Sequence, residues 1–551
     1  MTDKSIRSNG VAGADSCRIG LLAPGQPRRS VAHLLMKTCR DNADRVAVVQ
    51  GERRLTYGQL DHQARRIAAW LHHRGLAIGA RVGILSQNCL EFVVADIAIQ
   101  FGAFTRVGLS PRLSLDEAVH ICNDAGVAAL FVDESWMLRA GEITARTASP
   151  PLVVAFGGAA SGVVSFADLL SFADGGPLPE AAEDAAASLA YTSGTTGQPK
   201  GAIISQRAAF HMCRHIVLAL PDIDGSESIL HTAPLAHFGF SIGLASLVHG
   251  GTQHVVPKFD PAAMLDLLEA ERIAVAPMVP TQLSMVVTEQ LRSPRDISSV
   301  RCIPYSGSPI AADQLRSAMQ VFGPVFVQLY AQTEVPPPLT VLSKRDHQAG
   351  VRHGDERLLL SAGRPLPYVE IKVIDIDGND VPRGDLGEIV CRSETMMDGY
   401  WNEPVPTAQA FASDGWLATG DIGYLSTDGY LTIVDRRKSL IITGGYNVYP
   451  AEVERVIQQL PWVIDVVVVG IPDEHWGEAI LAVVVVNDEV ASKRDSDTLS
   501  AELDARCRAR LAGYRVPKRV EFRAELPRNA AGKVLARLVR DPYWAAHSRR
   551  V

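Results

Sequence analysis

From Ser30 to about residue 330, short apolar runs of strand length alternate with longer runs whose apolar residues recur at helical spacing. Val46 to Val49, Arg81 to Leu85, Ala128 to Val132, Leu152 to Ala155, His254 to Val256 and Val325 to Leu329 read as strands. Val31, Leu34, Leu35 and Met36 open a first helix, Tyr57 to Leu71 reads as a second, and a further helical run passes through Phe92 and Ala98. Strands separated by helices predict an α/β architecture with largely parallel sheets and helices on their faces. After about residue 360 the pattern changes. Ile371 to Asp375, Gly387 to Cys391 and Tyr430 to Val434 are short runs separated by Gly, Pro and Asp turns, as in an antiparallel β subdomain. Beyond the charged run Asp435 to Lys438 comes an α+β pattern: helices over Ala451 to Leu460 and Leu499 to Leu511, strands over Val466 to Val469 and Leu481 to Val486. A domain boundary is expected near Lys438, within about four residues.

Composition narrows the class. With 54 Lys and Arg against 61 Asp and Glu, the formal net charge of −7 lacks the footprint of a bulk nucleic-acid binder. Apolar residues make up 47% of the 551, which excludes a disordered chain. The eight cysteines include no CxxC pair, so a disulfide framework or zinc ribbon is not expected and a reducing compartment is the default. Residues 1 to 28 are polar and read as a loose tail, with no apolar signal-peptide core. Phe92 to Leu109 is the most membrane-like stretch, but Asp96, Gln100 and Arg106 within it favour a buried core segment over a span. A soluble cytoplasmic enzyme is the leading expectation.

The strongest local signal is Tyr191-Thr192-Ser193-Gly194-Thr195-Thr196-Gly197-Gln198-Pro199-Lys200-Gly201. Glycines let backbone N–H groups close around an anion, hydroxyls add donors, and the lysine supplies a point charge for a polyphosphate. An ordinary surface loop is the plain alternative, which the Pro-Lys-Gly ending and the apolar flanks fit poorly. The order of Lys200 and Gly201 excludes a Walker loop.

The stretch resembles the phosphate-binding signature of the adenylate-forming superfamily: acyl-CoA synthetases, adenylation domains of nonribosomal peptide synthetases, and firefly luciferase. Further motifs follow in the family's order, so the resemblance covers about residues 30 to 540. Tyr330-Ala331-Gln332-Thr333-Glu334 resembles Tyr-Gly-x-Thr-Glu, with Ala331 where glycine is usual and Pro336-Pro337-Pro338 downstream. The resemblance implies stacking of Tyr330 on adenine, an α-phosphate contact from Thr333, and Mg²⁺ on Glu334 with Thr196. Taken alone, a strand end followed by a loop explains the pentapeptide equally well. Tyr305-Ser306-Gly307-Ser308-Pro309 is similar to the adenine-binding turn, and a generic turn fits it too. His231 to Phe240 resembles the segment whose histidine, here His237, lies between acyl and CoA sites, although a lone histidine is as readily structural.

Trp416-Leu417-Ala418-Thr419-Gly420-Asp421 is similar to the family's Trp-x-x-Thr-Gly-Asp, which makes Asp421 the expected ribose-binding carboxylate. By the same resemblance Arg436 reaches ribose or phosphate, Lys438 is the hinge, and Gly444, Gly445 and Tyr446 approach the pantetheine arm of CoA. Lys533, in Leu526-Pro527-Arg528-Asn529-Ala530-Ala531-Gly532-Lys533, matches the lysine that bridges acyl carboxylate and α-phosphate. His237, Phe238, Phe240, Tyr305, Ser306 and Pro336 are expected around the acyl group.

The implied fold is α/β: a large N-terminal domain (29–437) of two α/β subdomains plus a β subdomain at about 360–435, and a small mobile α+β C-terminal domain (438–551). The implied reaction joins a carboxylic acid to ATP as an acyl-adenylate with Mg²⁺, then passes the acyl group to coenzyme A. No aspartate stands in His237-Phe238-Gly239-Phe240 to hold an amino acid's ammonium, which favours a fatty, aryl or bulky alicyclic acid. Other readings are transfer to a separate carrier protein, an enzyme making only the thioester from a supplied adenylate, and a non-catalytic nucleotide- or acyl-CoA-binding protein. Acid-dependent pyrophosphate release without CoA separates them. Oligomeric state is not encoded in any motif.

Overall fold

The computed structural model describes residues 29–158, 162–173, 176–192, 198–236, 238–487, 490, 492–528 and 534–545. Among them, the long alternating region forms a seven-stranded sheet in the order Val164–Ser165, Leu152–Ala155, Val127–Val132, Arg81–Leu85, Thr105–Leu109, Ala186–Thr192 and Lys200–Ser205. Every neighbouring pair is parallel except the last. The helix Leu90–Phe101 is buried at every position but Glu91 and packs its mostly apolar sequence into the main core, with Asp96 and Gln100 buried among the apolar residues. No described helix is long and apolar enough to cross a membrane. The seven described cysteines are unpaired thiols.

A second layered region begins with the sheet Ser228–His231, Thr252–Val255, Val46–Gln50 and Arg53–Thr56. Val275 bridges Ile229 on one side and Cys302 on the other, both in parallel. The residues after Cys302 belong to another sheet, Ile303–Tyr305, Phe326–Tyr330, Thr340–Leu342 and Arg364–Pro365. Ile303–Tyr305 and Phe326–Tyr330 run parallel, so their carboxyl ends lie side by side. In open α/β sheets that is where ligands bind.

The antiparallel texture expected after residue 360 appears as Val369–Ile374, Gly387–Ser393, Leu417–Leu425 and Leu431–Arg436, with all pairs antiparallel. Sheet membership then changes. Tyr446–Val448, Ile441–Thr443, Gly477–Val486 and Val463–Asp473 form a separate sheet, joined by Arg519–Arg523. Its apolar clusters draw only on residues from Ile441 onward. Val463–Asp473 runs longer than its sequence suggests, through Gly470 and Pro472. It lies at the sheet edge, where the missing N–H of Pro472 removes no bond on the open side.

Gly363 joins two of these sheets. Its carbonyl accepts from Leu431 N at 2.8 Å, and Ala362 N donates to Leu431 O at 2.7 Å. Its φ is +83°, and a Cβ there would stand 2.1 Å from the carbonyl carbon and oxygen of Val341. Backbone atoms pinned in a sheet cannot give way. Gly363→Ala is therefore expected to lower unfolding stability by about 3 kcal/mol or more. Urea titration followed by tryptophan fluorescence measures this, and an unchanged midpoint would refute the junction.

Candidate functional site

A strand end, the turn that follows it and the middle of an antiparallel strand supply the site. The strand Phe326–Tyr330 delivers Tyr330 at its carboxyl end. Gln332 and Val335 then exchange backbone hydrogen bonds of 3.2 Å in both directions. This tight turn carries Thr333 and Glu334 between its closing residues. Asp421 comes from Leu417–Leu425, directly across from Arg436 in the antiparallel register.

These residues converge on one carboxylate. Asp421 is buried, with 4% of its surface exposed. Its Oδ2 accepts from Tyr330 Oη at 2.7 Å and from Gln332 Nε2 at 2.6 Å. Its Oδ1 lies 3.0 Å from Arg436 Nε. Thr419 secures the local backbone, since its hydroxyl accepts from Asp421 N at 3.1 Å and donates to Ile389 O at 2.7 Å. Burial and then the neighbouring Asp421 charge push the Tyr330 phenol well above its ordinary range, so it remains a donor. An aspartate offers about four acceptor positions. Two ribose hydroxyls would have to displace part of this donor set, and the half-exposed Arg436 is the partner with most freedom to yield.

A second group forms around Glu334. Tyr400 Oη donates to Glu334 Oε1 at 2.8 Å, and Lys200 Nζ stands 5.8 Å from the centre of the Tyr400 ring. Burial and then Glu334 raise the Tyr400 pKa. Residues 398–401 hold Tyr400 against the strand that carries Lys200. Asp398 N donates to Ile203 O, Ile203 N to Gly399 O, and Trp401 N to Gly201 O, at 2.9, 2.9 and 2.7 Å. Met397 N donates to Glu334 O at 2.8 Å, which fixes the turn from the other side. Tyr400 is a residue that motif reading missed. Its one sequence signal is an aromatic pair, Tyr400-Trp401, in a short polar turn.

Of the phosphate-loop stretch, Ser193, Gly194, Thr195, Thr196 and Gly197 lie outside the described residues. The flanks close a hairpin, with Thr192 paired to Lys200 and Tyr191 to Gly201. His120 Nε2 contacts Pro199 O at 3.0 Å, and Tyr191 Oη donates to Asp124 Oδ2 at 2.6 Å. Ser306, Gly307, Ser308 and Pro309 follow the strand beside Tyr330, and Gly307 has a φ of +95°. Ala331 and Thr333 are half-buried in the neighbouring turn.

The expected acyl residues divide. Phe240 is buried in the main core cluster, and the Arg106 guanidinium lies 4.9 Å from its ring centre. Pro336 is buried, and its carbonyl accepts from Thr395 Oγ1 at 3.1 Å. Tyr305 is fully buried in a different cluster, edge-on to Phe326, with its hydroxyl 2.8 Å from His347 Nε2. The structure therefore does not bring the Tyr305 side chain to Phe240. His237 and the side chain of Phe238 lie outside what is described.

In the C-terminal sheet, Gly444 and Gly445 form the two-residue turn between Ile441–Thr443 and Tyr446–Val448, both with positive φ. A Cβ at Gly444 would meet the Trp476 ring at 2.7 Å. Tyr446, 57% exposed, stacks on Tyr514 with centroids 4.7 Å apart. Residues Arg437–Ser439 form one short turn between the two sheets, and the Lys438 side chain is not described. Asn529 and Lys533 also lie outside the described residues, while Arg528 and Val534 pair across the ends of that segment.

This arrangement, a buried carboxylate among Tyr, Gln and Arg beside a lysine–tyrosine–glutamate group at strand ends, suits a nucleotide with its phosphates and a cation. The chain belongs to the AMP-binding enzyme family, which matches residues 35–401, and the AMP-binding enzyme C-terminal domain matches residues 452–533. Among its relatives is the medium/long-chain-fatty-acid–CoA ligase FadD8 of Mycobacterium tuberculosis. It is 35% identical over 528 residues, covering 94% of this chain and 91% of that protein. Feruloyl-CoA synthase of an Amycolatopsis species is 35% identical over 520 residues, covering 92% and 97%. Among solved structures, the amide bond synthetase McbA from Marinactinospora thermotolerans superposes with a TM-score of 0.82 at 32% identity, covering 93% and 99% of the two chains.

Asp421→Asn removes the charge that Arg436 pairs with. Calorimetric titration should show ATP and AMP binding weakened about tenfold or more, and Tyr330→Phe, which deletes one neutral donor, a smaller loss. Unchanged affinity in both variants would sink the assignment.

Proposed function

We propose that the protein is an acid–thiol ligase that activates a carboxylic acid with ATP and transfers the acyl group to coenzyme A. In the first half-reaction a carboxylate oxygen attacks the α-phosphorus, the bond to the β,γ-phosphates breaks, and pyrophosphate leaves. In the second, the CoA thiolate attacks the acyl carbon and the carbon–oxygen bond to AMP breaks. The observation that carries this reading is the continuity of Lys200, Tyr400 and Glu334 with the Gln332–Asp421–Arg436 group. It supports binding phosphate charge and ribose in one place, beside the carboxyl end of Phe326–Tyr330. The named CoA ligases among the relatives support the thiol acceptor.

The residues present suit Mg²⁺. Tyr400 occupies Oε1 of Glu334, and Oε2 has no hydrogen-bond partner among the described residues. One carboxylate oxygen together with substrate phosphates is an ordinary way to hold this cation, which would neutralise the departing pyrophosphate. Tyr400 would orient Glu334, and Lys200 would face the phosphates as a point charge. Lys533 would stabilise the charge on the pentavalent phosphorus. The C-terminal unit from Lys438 onward would turn about the Arg437–Ser439 segment, presenting Lys533 for the first step and the Gly444–Gly445 turn for the second. The smooth backbone of that turn suits a slender pantetheine arm.

The acid is a fatty, aryl or bulky alicyclic acid rather than an amino acid. The helix Phe238–His249 opens Phe-Gly-Phe and carries no acidic side chain to meet an ammonium. The enzyme works in the cytoplasm, where ATP and free CoA are present. A panel of straight-chain fatty, hydroxycinnamic, other aryl and alicyclic acids tests this, with pyrophosphate release and thioester followed in parallel. Acid-dependent pyrophosphate release and a CoA thioester are expected. Thioester only from a synthetic acyl-adenylate, or binding of ATP without turnover, would refute the reading.

Two variants test the division of labour. Lys533→Ala should slow adenylation about 100-fold or more while sparing thioester formation from a supplied adenylate. Lys438→Pro, by fixing φ at the pivot, should slow one half-reaction more than the other. Equal losses in both half-reactions, read by single-turnover assays, would count against rotation.

A further inference from the structure

The segment between the strand Ser228–His231 and the helix Phe238–His249 leaves the sheet, so its backbone polar groups need other partners. Two side chains from distant parts of the chain supply them. Asn88 stands just past the carboxyl end of Arg81–Leu85 and is 5% exposed. Its Nδ2 donates to Ala233 O at 2.9 Å and to His231 O at 3.3 Å, and its Oδ1 accepts from Leu235 N at 2.8 Å. Arg106, from the adjacent strand Thr105–Leu109, donates through Nη2 to Leu235 O at 3.0 Å. Gly108, on the same strand, lets Ala236 come close, since a Cβ there would stand 3.0 Å from Ala236 O.

Arg106 is itself rigidly placed. Its Nε lies 3.0 Å from Oδ1 of Asp96, whose side chain is wholly buried. Its guanidinium carbon sits 5.8 Å from the Phe92 ring centre and 4.9 Å from that of Phe240. A buried carboxylate that lost this counter-charge would be uncompensated, so the pair holds its geometry strongly. One guanidinium thus touches both the backbone before the helix and an aromatic side chain in its first turn.

We propose that Asn88 and Arg106 are positioning residues for the reaction, clamping the 231–236 segment so that the first turn of the Phe238–His249 helix presents a fixed wall to the acyl group. The inference rests on the acyl-CoA ligase reading and assigns the geometry of its acyl side to these two residues. The clamp acts on acid placement and on the attack it permits, not on ATP. Neither side chain needs to touch substrate. A near-attack geometry is sensitive to displacements of about 1 Å, which two lost backbone anchors would allow.

The test uses the full chain and the acid with the highest turnover among dodecanoate, ferulate and cyclohexanecarboxylate. Asn88→Ala and Arg106→Lys are compared with Thr38→Val. That control deletes a structural hydrogen bond from Thr38 Oγ1 to Val248 O, at the opposite end of the Phe238–His249 helix from the Asn88–Arg106 clamp. Lysine keeps the charge opposite Asp96 but cannot reach Leu235 O, Phe92 and Phe240 together. Both clamp variants should raise KM for the acid or lower kcat about tenfold, with KM for ATP within about twofold. Hydrogen exchange of the amides at 232–240 should quicken, whereas Thr38→Val should leave the kinetic split and that exchange unchanged. Equal effects on acid and ATP, or faster exchange with unaltered acid kinetics, would overturn the proposal. Absence of acid-dependent pyrophosphate release from the unsubstituted chain would overturn the ligase reading, and the clamp proposal with it.

Discussion

The Asp421 carboxylate is the interaction on which the described site turns. It is buried where an unpaired charge would be costly, and Tyr330, Gln332 and Arg436 together make it tolerable. Those partners come from separate elements: a parallel strand end, the turn beyond it, and an antiparallel strand. Satisfying one charge therefore docks the antiparallel sheet onto the edge of the α/β body. The docking in turn sets the relation of Arg436 to the turn that carries Thr333 and Glu334. Stability draws on these hydrogen bonds, and under the proposed nucleotide-binding role so does recognition, so substitutions here are expected to affect both.

The Glu334 group obeys a similar rule with weaker individual contacts. Glu334 sits on a four-residue turn, an element too short to orient a long side chain alone. Tyr400 supplies that orientation through its hydroxyl, and its own backbone is paired to the strand of Lys200. Glu334 and Lys200 thus share one support. Asn88 and Arg106 play an analogous part for residues 231–236, where a segment that leaves its sheet is refastened by side chains from neighbouring strands.

What the sequence made legible follows from this division. Lys200 is readable from its own surroundings, glycines and hydroxyls before a lysine, whereas Glu334 and Asp421 stand out only because their short motifs resemble those of a known family in the same order. The alternating and then antiparallel strand patterns were readable for the same local reason, with ends shifted by a few residues. Tyr400 was not legible, because its role exists only through a contact 66 residues away, and the Asn88 contact with Leu235 spans 147. Tyr305 shows the limit from the other direction. Its motif marks a turn, but only the tertiary partner His347 decides that the ring points into the core. The acid is illegible because the volume of a pocket depends on packing among many such distant pairs.

The segment 398–401, which holds Tyr400, also governs the behaviour of the chain in crowded solution. Lys200–Ser205 is the last strand of the seven-stranded sheet, and an uncovered last strand offers a row of unpaired amides and carbonyls to any other extended chain. Three backbone hydrogen bonds from 398–401 occupy that row. A substitution that pulls the segment away would therefore do more than misplace a tyrosine. It would open a template for intermolecular strand addition, so such variants should be lost to aggregation before they are lost to unfolding.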